Sequence, residues 1–384
     1  MLFRVANKEN KKVELRRILR MRMQEKYGLC PEDYICDRLE EEWRAVESLG
    51  LLEHVWVLEK LVQWLNRKQY PYWVRGTACS SLLLYILGIT RANPLPPHYY
   101  CPCCKNLLWM VGCKDGFDLN DTQLCKDKTV MINDGHDLPW QSIWSVKKGY
   151  LEIDMPKHLY GLISRYYSIY YGRQKYKDID IVNPEGEKIV SSAKLRICCI
   201  LDLEYEKAVL EEYMELAPEK QTCFAFWEFV GKEIEPERAI RFPCKTFSDI
   251  LALKGLSLSE GAWDGEAKVM LTSGKYKPAD LIAFREDVYY FLRNAGFGET
   301  KAWAETRNVM NGYGLSSIRE EMISASDSWK LGRCQRIRYL FPKATLVEYM
   351  LFKLYMLELY GKSKKPLRTI MSKKEFRQKE RNIN

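Results

Sequence analysis

The hydrophobic positions divide the chain into a helical start, a strand-and-loop middle and a helical end. Leu15, Ile18, Leu19 and Met23 form one stripe at helical spacing, so residues 1–25 predict a charged helix. Pro31 suits a first helical turn. Behind it Ile35, Leu39, Trp43 and Val46 share a face, and Val55, Leu58, Leu61, Val62 and Leu65 mark the next helix, so the two read as a hairpin around a buried stripe. Tyr70-Pro71 stops the pattern. Tyr72-Trp73-Val74 then reads as a short strand, and Ser80–Leu87 as a helix. Lys147–Asp154 alternates as a strand, and Leu159, Leu162, Ile163, Tyr166 and Tyr170 line a helix opened by Pro156. Lys194–Leu203 reads as a buried strand with Asp202 at its end, followed by an acidic helix over Tyr205–Leu216; Phe224–Val230 is aromatic and reads as packed. Gly255–Gly265 reads as a loop. Pro278–Asn294 and Glu299–Met310 read as amphipathic helices. Lys330, Arg333 and Arg336 share a face of a helix over Trp329–Tyr339, and Phe341-Pro342 separates it from a last, apolar helix. No internal repeat is visible.

Composition narrows the class without naming a function. At 47% hydrophobic and 29% charged, the chain is an ordinary globular one. The net charge of +9 is concentrated at the two ends, at Lys11, Lys12, Arg16, Arg17, Arg20 and Arg22 and again from Lys362 to Arg381. That balance favours a polyanionic partner, although basic ends also serve as solvated tails. No secretory signal and no membrane-length apolar run is present, so the expected location is cytoplasmic and no membrane partner is expected. The 13 cysteines therefore read as thiols or metal ligands rather than a disulfide framework.

Three constellations carry candidate chemistry. Arg75-Gly76-Thr77-Ala78-Cys79-Ser80-Ser81 is a small-residue turn before a helix, where free backbone N–H groups and Arg75 suit anionic oxygens. Taken alone, a tight connection with no ligand is the simpler reading. Cys101 and Cys104 have the C-x2-C spacing of half a zinc knuckle. Cys125 offers a third thiol, but Lys128 stands where its partner would be, which leaves Cys103 or Cys113 to complete the site or the loop to hold its shape without metal. Glu152 and Asp154 lie two apart on a strand and converge on one spot, as two-metal phosphoryl chemistry with Mg²⁺ requires; an exposed polar strand face is the plainer alternative.

In order along the chain, R-G-x-x-x-S-S, N-P-L-P-P-H-Y-x-C-P-x-C, G-F-D-L, D-G-H-D-L-P and x-I-D resemble the palm region of the PolC-type α subunit of bacterial DNA polymerase III. K-T-F-S-D-I at Lys245, R-E-D-V at Arg285 and C-x-R-I-R-Y-L-F-P-K-A ending at Ala344 fall in the order of its fingers. The resemblance runs from about residue 29 to 361, broken between roughly 173 and 240. It implies an α+β fold with a polymerase β-like nucleotidyltransferase palm and mostly helical fingers. The expected organisation is an N-terminal helical segment (1–69), a shortened palm (70–245) with a cysteine knuckle (about 99–128), a fingers-like part (246–361) and a basic disordered tail (362–384).

The resemblance also implies roles. Glu152 and Asp154 would hold Mg²⁺ with a third carboxylate from a neighbouring strand, for which Asp202 is the candidate. Arg75, Gly76, Ser80 and Ser81 would meet the incoming dNTP, with Arg336, Arg338 and Lys343 on phosphates. Cys101, Cys104, Cys113 and Cys125 are the candidate Zn²⁺ ligands. Primer-template DNA and replication proteins are the implied partners. The chain departs from the family pattern at Glu152 for an aspartate and Cys79 for a glycine. It departs again at Lys128 for a cysteine, Leu258 for a histidine, Glu266 and Lys268 for Asn and Gln, Met310-Asn311-Gly312-Tyr313 for a basic segment, and Thr345 for a histidine. Three readings follow: a polymerase-like protein that binds DNA or nucleotide with weak or no turnover, an active template-directed polymerase, and a protein-interaction module.

Overall fold

The computed structural model describes residues 8–140, 151–175, 178–185, 193–215, 226–227, 229–230 and 244–360. The expectations for 147–150, for Phe224 and for the tail after 361 lie outside them.

Three helices open the chain, α1 (Lys8–Tyr27), α2 (Asp33–Ser48) and α3 (Leu52–Arg67). Their stripes are the expected ones: Leu15, Ile18, Leu19, Ile35, Leu39, Trp43, Val46, Val55, Leu58, Leu61, Val62 and Leu65 all enter one core. The chain then passes through β1 (Trp73–Arg75), a 3-10 turn over Gly76–Ser80 and the short helix α4 (Leu82–Ile86). Next come β2 (His98–Tyr100), β3 (Leu107–Trp109) and β4 (Ile132–Asp134), which pair antiparallel in the order β3-β2-β4 and carry the cysteine loops. A second sheet is built from β5 (Leu151–Pro156), β6 (Ile179–Val182) and β7 (Leu195–Leu201), with α5 (Tyr160–Lys175) between β5 and β6. Its order is β1-β5-β7-β6: β1 runs antiparallel to β5, while β5 and β6 run parallel to β7.

Helix α6 (Leu203–Met214) leaves β7 through an Asp202 cap. The rest of the described chain is helical: α7 (Phe247–Leu258), α8 (Gly265–Thr272), α9 (Arg285–Asn294), α10 (Glu299–Met310), α11 (Ser328–Arg336) and α12 (Lys343–Tyr360). The fold is thus mixed α and β, with small sheets inside a helical frame. No helix among the described residues is long and apolar enough to cross a membrane.

Four local expectations are corrected. Pro156 closes β5 and caps a 3-10 turn over Lys157–Leu159, so α5 itself starts only at Tyr160. On α5 the buried face takes Tyr167 instead of Leu162, which is 49% exposed. Gly255 lies inside α7, not in a loop: a Cβ there would sit 2.4 Å from the Phe284 ring, so the close seating of that ring on the helix requires glycine. Pro278–Asn294 is broken, with a 3-10 turn over Pro278–Asp280 and α9 starting at Arg285.

Helix α12 is the bolt between the two halves. Glu348 is fully buried and accepts the backbone N–H groups of Arg91 (2.7 Å) and Ala92 (2.8 Å) as well as the Arg91 guanidinium. Thr345 donates to the Gly76 carbonyl. Lys353, also fully buried, pairs with Glu206 on α6. Glu348 and Lys353 are therefore internal ties of this apolar helix, while Glu358 is exposed.

Asp134 plays the same part beside β2. It accepts from Lys26, Tyr85, Asn93 and the Gly135 N–H, each at 2.9 Å. Burial alone would raise its pKa, but Lys26, His98 and His136 more than offset that and hold it well below the ordinary carboxylate range. A depressed folded-state pKa stabilises above the unfolded value and is lost as pH falls through and below it. Acid unfolding should therefore draw on Asp134 below about pH 4, the unperturbed carboxylate value. Asp134→Asn, compared by urea denaturation at pH 3 and pH 7, should lose more stability at pH 7 than at pH 3, the rest of the contribution going only at still lower pH.

Candidate functional site

Glu152 and Asp154 do converge, and they do so beside the Gly-Ser turn. The antiparallel register sets Arg75 opposite Glu152 and Trp73 opposite Asp154. Because strand side chains alternate faces, Arg75, Glu152 and Asp154 share one side of the sheet. The Arg75 guanidinium bridges the two acids, with Nη2 on Glu152 and Nε 3.0 Å from Asp154 Oδ2. Arg196 approaches Glu152 from β7 at 4.0 Å. The residue in register with Asp154 on β7 is Cys198, and the donor atoms of Glu152, Asp154 and Cys198 lie within 4.8 Å of one another.

Asp154 is 3% exposed, and its Oδ1 has no hydrogen-bond partner among the described residues. Burial pushes its pKa up to about 7 against the pull of Arg75, with the Glu152 charge adding to the rise. Cys198 is pushed up to about 12 by burial and by the two neighbouring acids, which keeps it a thiol. Asp202, the expected third carboxylate, caps α6 through the Tyr205 N–H and pairs with Lys157 at the surface. It does not belong to the gathered group. The third donor here is a protonated sulfur. Hard divalent cations take oxygen ligands, and a guanidinium already spans the two carboxylates, so this donor set does not fit a pair of Mg²⁺ ions.

The turn also differs from its expected role. The α4 N-terminus is occupied from inside: Glu42 of α2 accepts the N–H groups of Leu82 and Leu83, both at 3.0 Å, and the Ser81 hydroxyl at 2.6 Å. Arg38, one turn earlier on α2, pairs with Glu42 and donates to the carbonyls of Ser80, Pro94 and Leu138. Ser80 and Ser81 are fully buried. The Cys79 side chain turns into the core and donates to the Val74 carbonyl, away from any ligand. Of the turn residues named for dNTP, Ser80 and Ser81 are closed off and Arg75 is held by the two acids, while Gly76 faces open space; its φ of +78° calls for glycine.

Two of the basic residues of the helical end, Arg333 and Arg336, are matched by acids. Arg333 is buried against Asp264 (3.0 Å) and the Ala262 carbonyl. Arg336 pairs with Glu266 and Asp264. Lys343 donates to the His136 carbonyl at 2.6 Å. Arg338 lines a polar groove with Asn311, Gly312 and Gln335. Glu266, one of the departures from the family pattern, thus lies directly on a basic position of that pattern.

The cysteine loops bring together Cys101, Cys104 and Cys125, with the Cys104 and Cys125 sulfurs 3.4 Å apart. Three thiols at this spacing fit three corners of a tetrahedral zinc site. Cys113 is not one of them; its thiol donates to the Asp115 carbonyl. Lys128 occupies the remaining knuckle position with φ +66°, its N–H on the Cys125 carbonyl.

Sequence reasoning missed Arg38, Glu42 and Cys198. A signal existed for the first two: they lie four apart on the face that also carries Ile35, Leu39 and Val46, and a charged pair within an apolar stripe marks an internal tie. Cys198 left none, because its place opposite Asp154 depends on a strand register more than forty residues away.

Comparison with known proteins agrees with this architecture. Residues 13–230, more than half of the chain, match the family described as the bacterial DNA polymerase III alpha NTPase domain. Among curated proteins, the chain is similar to the PolC-type DNA polymerase III of Caldanaerobacter subterraneus (23% identical, covering 92% of this chain and 33% of that protein). It is also similar to the enzymes of Bacillus subtilis (22%, 88% and 31%) and Lactococcus lactis (22%, 85% and 27%). The chain therefore spans about a third of the length of the relatives it matches. The first alignment runs over 470 positions, more than the 384 residues here, so that relative carries internal segments this chain lacks. The chain belongs to the bacterial DNA polymerase III alpha NTPase domain family.

Proposed function

We propose that this protein is a polymerase-derived DNA-binding protein in which nucleotidyl transfer is weak or lost. The β1-β5-β7-β6 sheet corresponds in this reading to a shortened palm, and the helices from Phe247 onward to fingers. The single observation that carries it is the state of the acidic strand: Arg75 spans Glu152 and Asp154, and Cys198 stands where a neighbouring strand would supply the third carboxylate. Two-metal transfer depends on cations bound to oxygen ligands at this place. Two guanidiniums, a thiol and a buried aspartate whose pKa is pushed up serve that chemistry poorly. The filled α4 N-terminus supports the same reading, since it takes from a triphosphate the donors that the turn would offer.

Polyanion binding is supported by the net charge of +9 and by the PolC-type kinship. The test is primed duplex DNA titrated at increasing salt. Binding should be measurable at low salt and weaken steadily as salt rises. Because Glu266 neutralises Arg336, Glu266→Gln should tighten binding a few-fold and steepen the log–log salt slope by up to about 0.9, the value of one phosphate contact. No binding at low salt would remove the DNA reading and leave the interaction module. The convergence of Glu152 and Asp154 beside Gly76 is the observation that favours the alternative, an active polymerase; incorporation that depends on Asp154 would establish it.

A further inference from the structure

The loop joining α1 to α2 carries an exposed cysteine, Cys30. It lines a groove of about 590 Å³ that also takes in Cys104 and Cys125. The loop is seated on the knuckle: a Cβ at Gly28 would lie 3.2 Å from the Lys105 side chain, and Lys105 directly follows Cys104. Trp109 on β3 fixes the other end of the loop, donating to Glu32 at 2.6 Å.

Among the described residues no fourth ligand joins the three gathered thiols. Lys128 bears an ammonium group, which has protons to donate and no lone pair. Cys30, Cys103 and Cys113 all stand outside the gathered group, but Cys113 donates to the Asp115 carbonyl and Cys103 does not line the groove, whereas Cys30 shares the groove with Cys104 and Cys125. Cys30 lines that groove from a different element, the α1–α2 loop, and faces the knuckle across it. We propose that Cys30 is the fourth ligand of a zinc-type site completed by Cys101, Cys104 and Cys125, which ties the N-terminal helices to the β3-β2-β4 sheet. Loading is a coordination step: one divalent cation replaces four thiol protons, which are released to solvent, and no electron changes hands. The site then carries two negative charges, and Lys105 and Lys126 line the same groove to offset them.

The proposal is independent of polymerase activity and is tested without it. The whole chain is titrated with Co²⁺ alone, and the sulfur-to-cobalt charge-transfer absorbance is read per bound ion. Wild type should give the intensity of four thiolates. Cys30→Ser should lose about a quarter of it, one ligand in four. Its metal affinity should fall by at least the roughly 10–100-fold that loss of an outer-shell partner already costs. Cys103→Ser and Cys113→Ser should match wild type, and adding Lys128→Cys to Cys30→Ser should restore the band. Should Cys30→Ser fold poorly, alkylation of the wild-type chain gives the same answer: Zn²⁺ should protect Cys30 from iodoacetamide together with Cys101, Cys104 and Cys125. Full intensity in Cys30→Ser, equal labelling of Cys30 with and without Zn²⁺, or no Co²⁺ binding by wild type would overturn the proposal.

Discussion

Glu42→Ala is expected to destabilise the protein by about 3–5 kcal/mol, the cost of breaking a buried charge pair by removing one partner. Four groups converge on that carboxylate: the Leu82 and Leu83 N–H, the Ser81 hydroxyl and the Arg38 guanidinium. None of them gains water in its place, because Ser81, Leu82 and Leu83 are fully buried and Arg38 nearly so. Urea unfolding should show the loss as a lower midpoint with an unchanged slope. Glu42→Gln retains an acceptor and should lose less. Arg38→Ala combined with Glu42→Ala should cost clearly less than the two single losses added, since each single change strands the other partner. Additive losses would mean that the pair does not act as a unit. The result matters for function because this carboxylate sits at the helix end that a phosphate would otherwise approach.

The second large effect is expected at Glu348→Ala, at about 2–4 kcal/mol. Two buried backbone N–H groups, on Arg91 and Ala92, lose their acceptor, and each orphaned buried donor costs about 1–3 kcal/mol. Arg91 retains the Tyr72 carbonyl and stacks on the Tyr72 and Tyr355 rings, which limits the loss below that at Glu42. Because α12 also holds Gly76 through Thr345, the change should loosen the turn. Amide hydrogen exchange should rise around Gly76 and Arg91 before it rises in α1–α3. Uniform exchange across all of these would contradict the role of α12 as the tie between the halves.

How legible this molecule is in its sequence depends on the range of the forces involved. The N-terminal helices were readable because three apolar stripes repeat at helical period and all three are buried as expected. Glu152 and Asp154 were readable as a pair because alternation on a strand is local. What neighbours them was not. Arg75 meets Glu152 through a pairing 77 residues apart, and the sequence placed that arginine on phosphate instead of carboxylate. Gly255 looked like a loop residue until a ring 29 residues later explained it. Leu162 and Tyr167 exchanged places through a small drift in helical phase. Lys330, Arg333 and Arg336 were correctly put on one helix, but the solvation of the two arginines depended on Asp264 and Glu266, 69 and 70 residues away. The family motifs supplied the long-range order that periodicity lacked. Its departures at Glu266 and Lys128 became interpretable only once their neighbours were in view.

The central claim concerns one small volume: a guanidinium and a thiol now stand among the two acids. Single-nucleotide incorporation into a primer-template in Mg²⁺ tests it most directly, with wild type and Asp154→Ala run side by side at high protein concentration. The account predicts that the two traces coincide, at the level of a protein-free control or just above it. Primer extension by wild type that vanishes in Asp154→Ala would contradict it and make this protein a working polymerase.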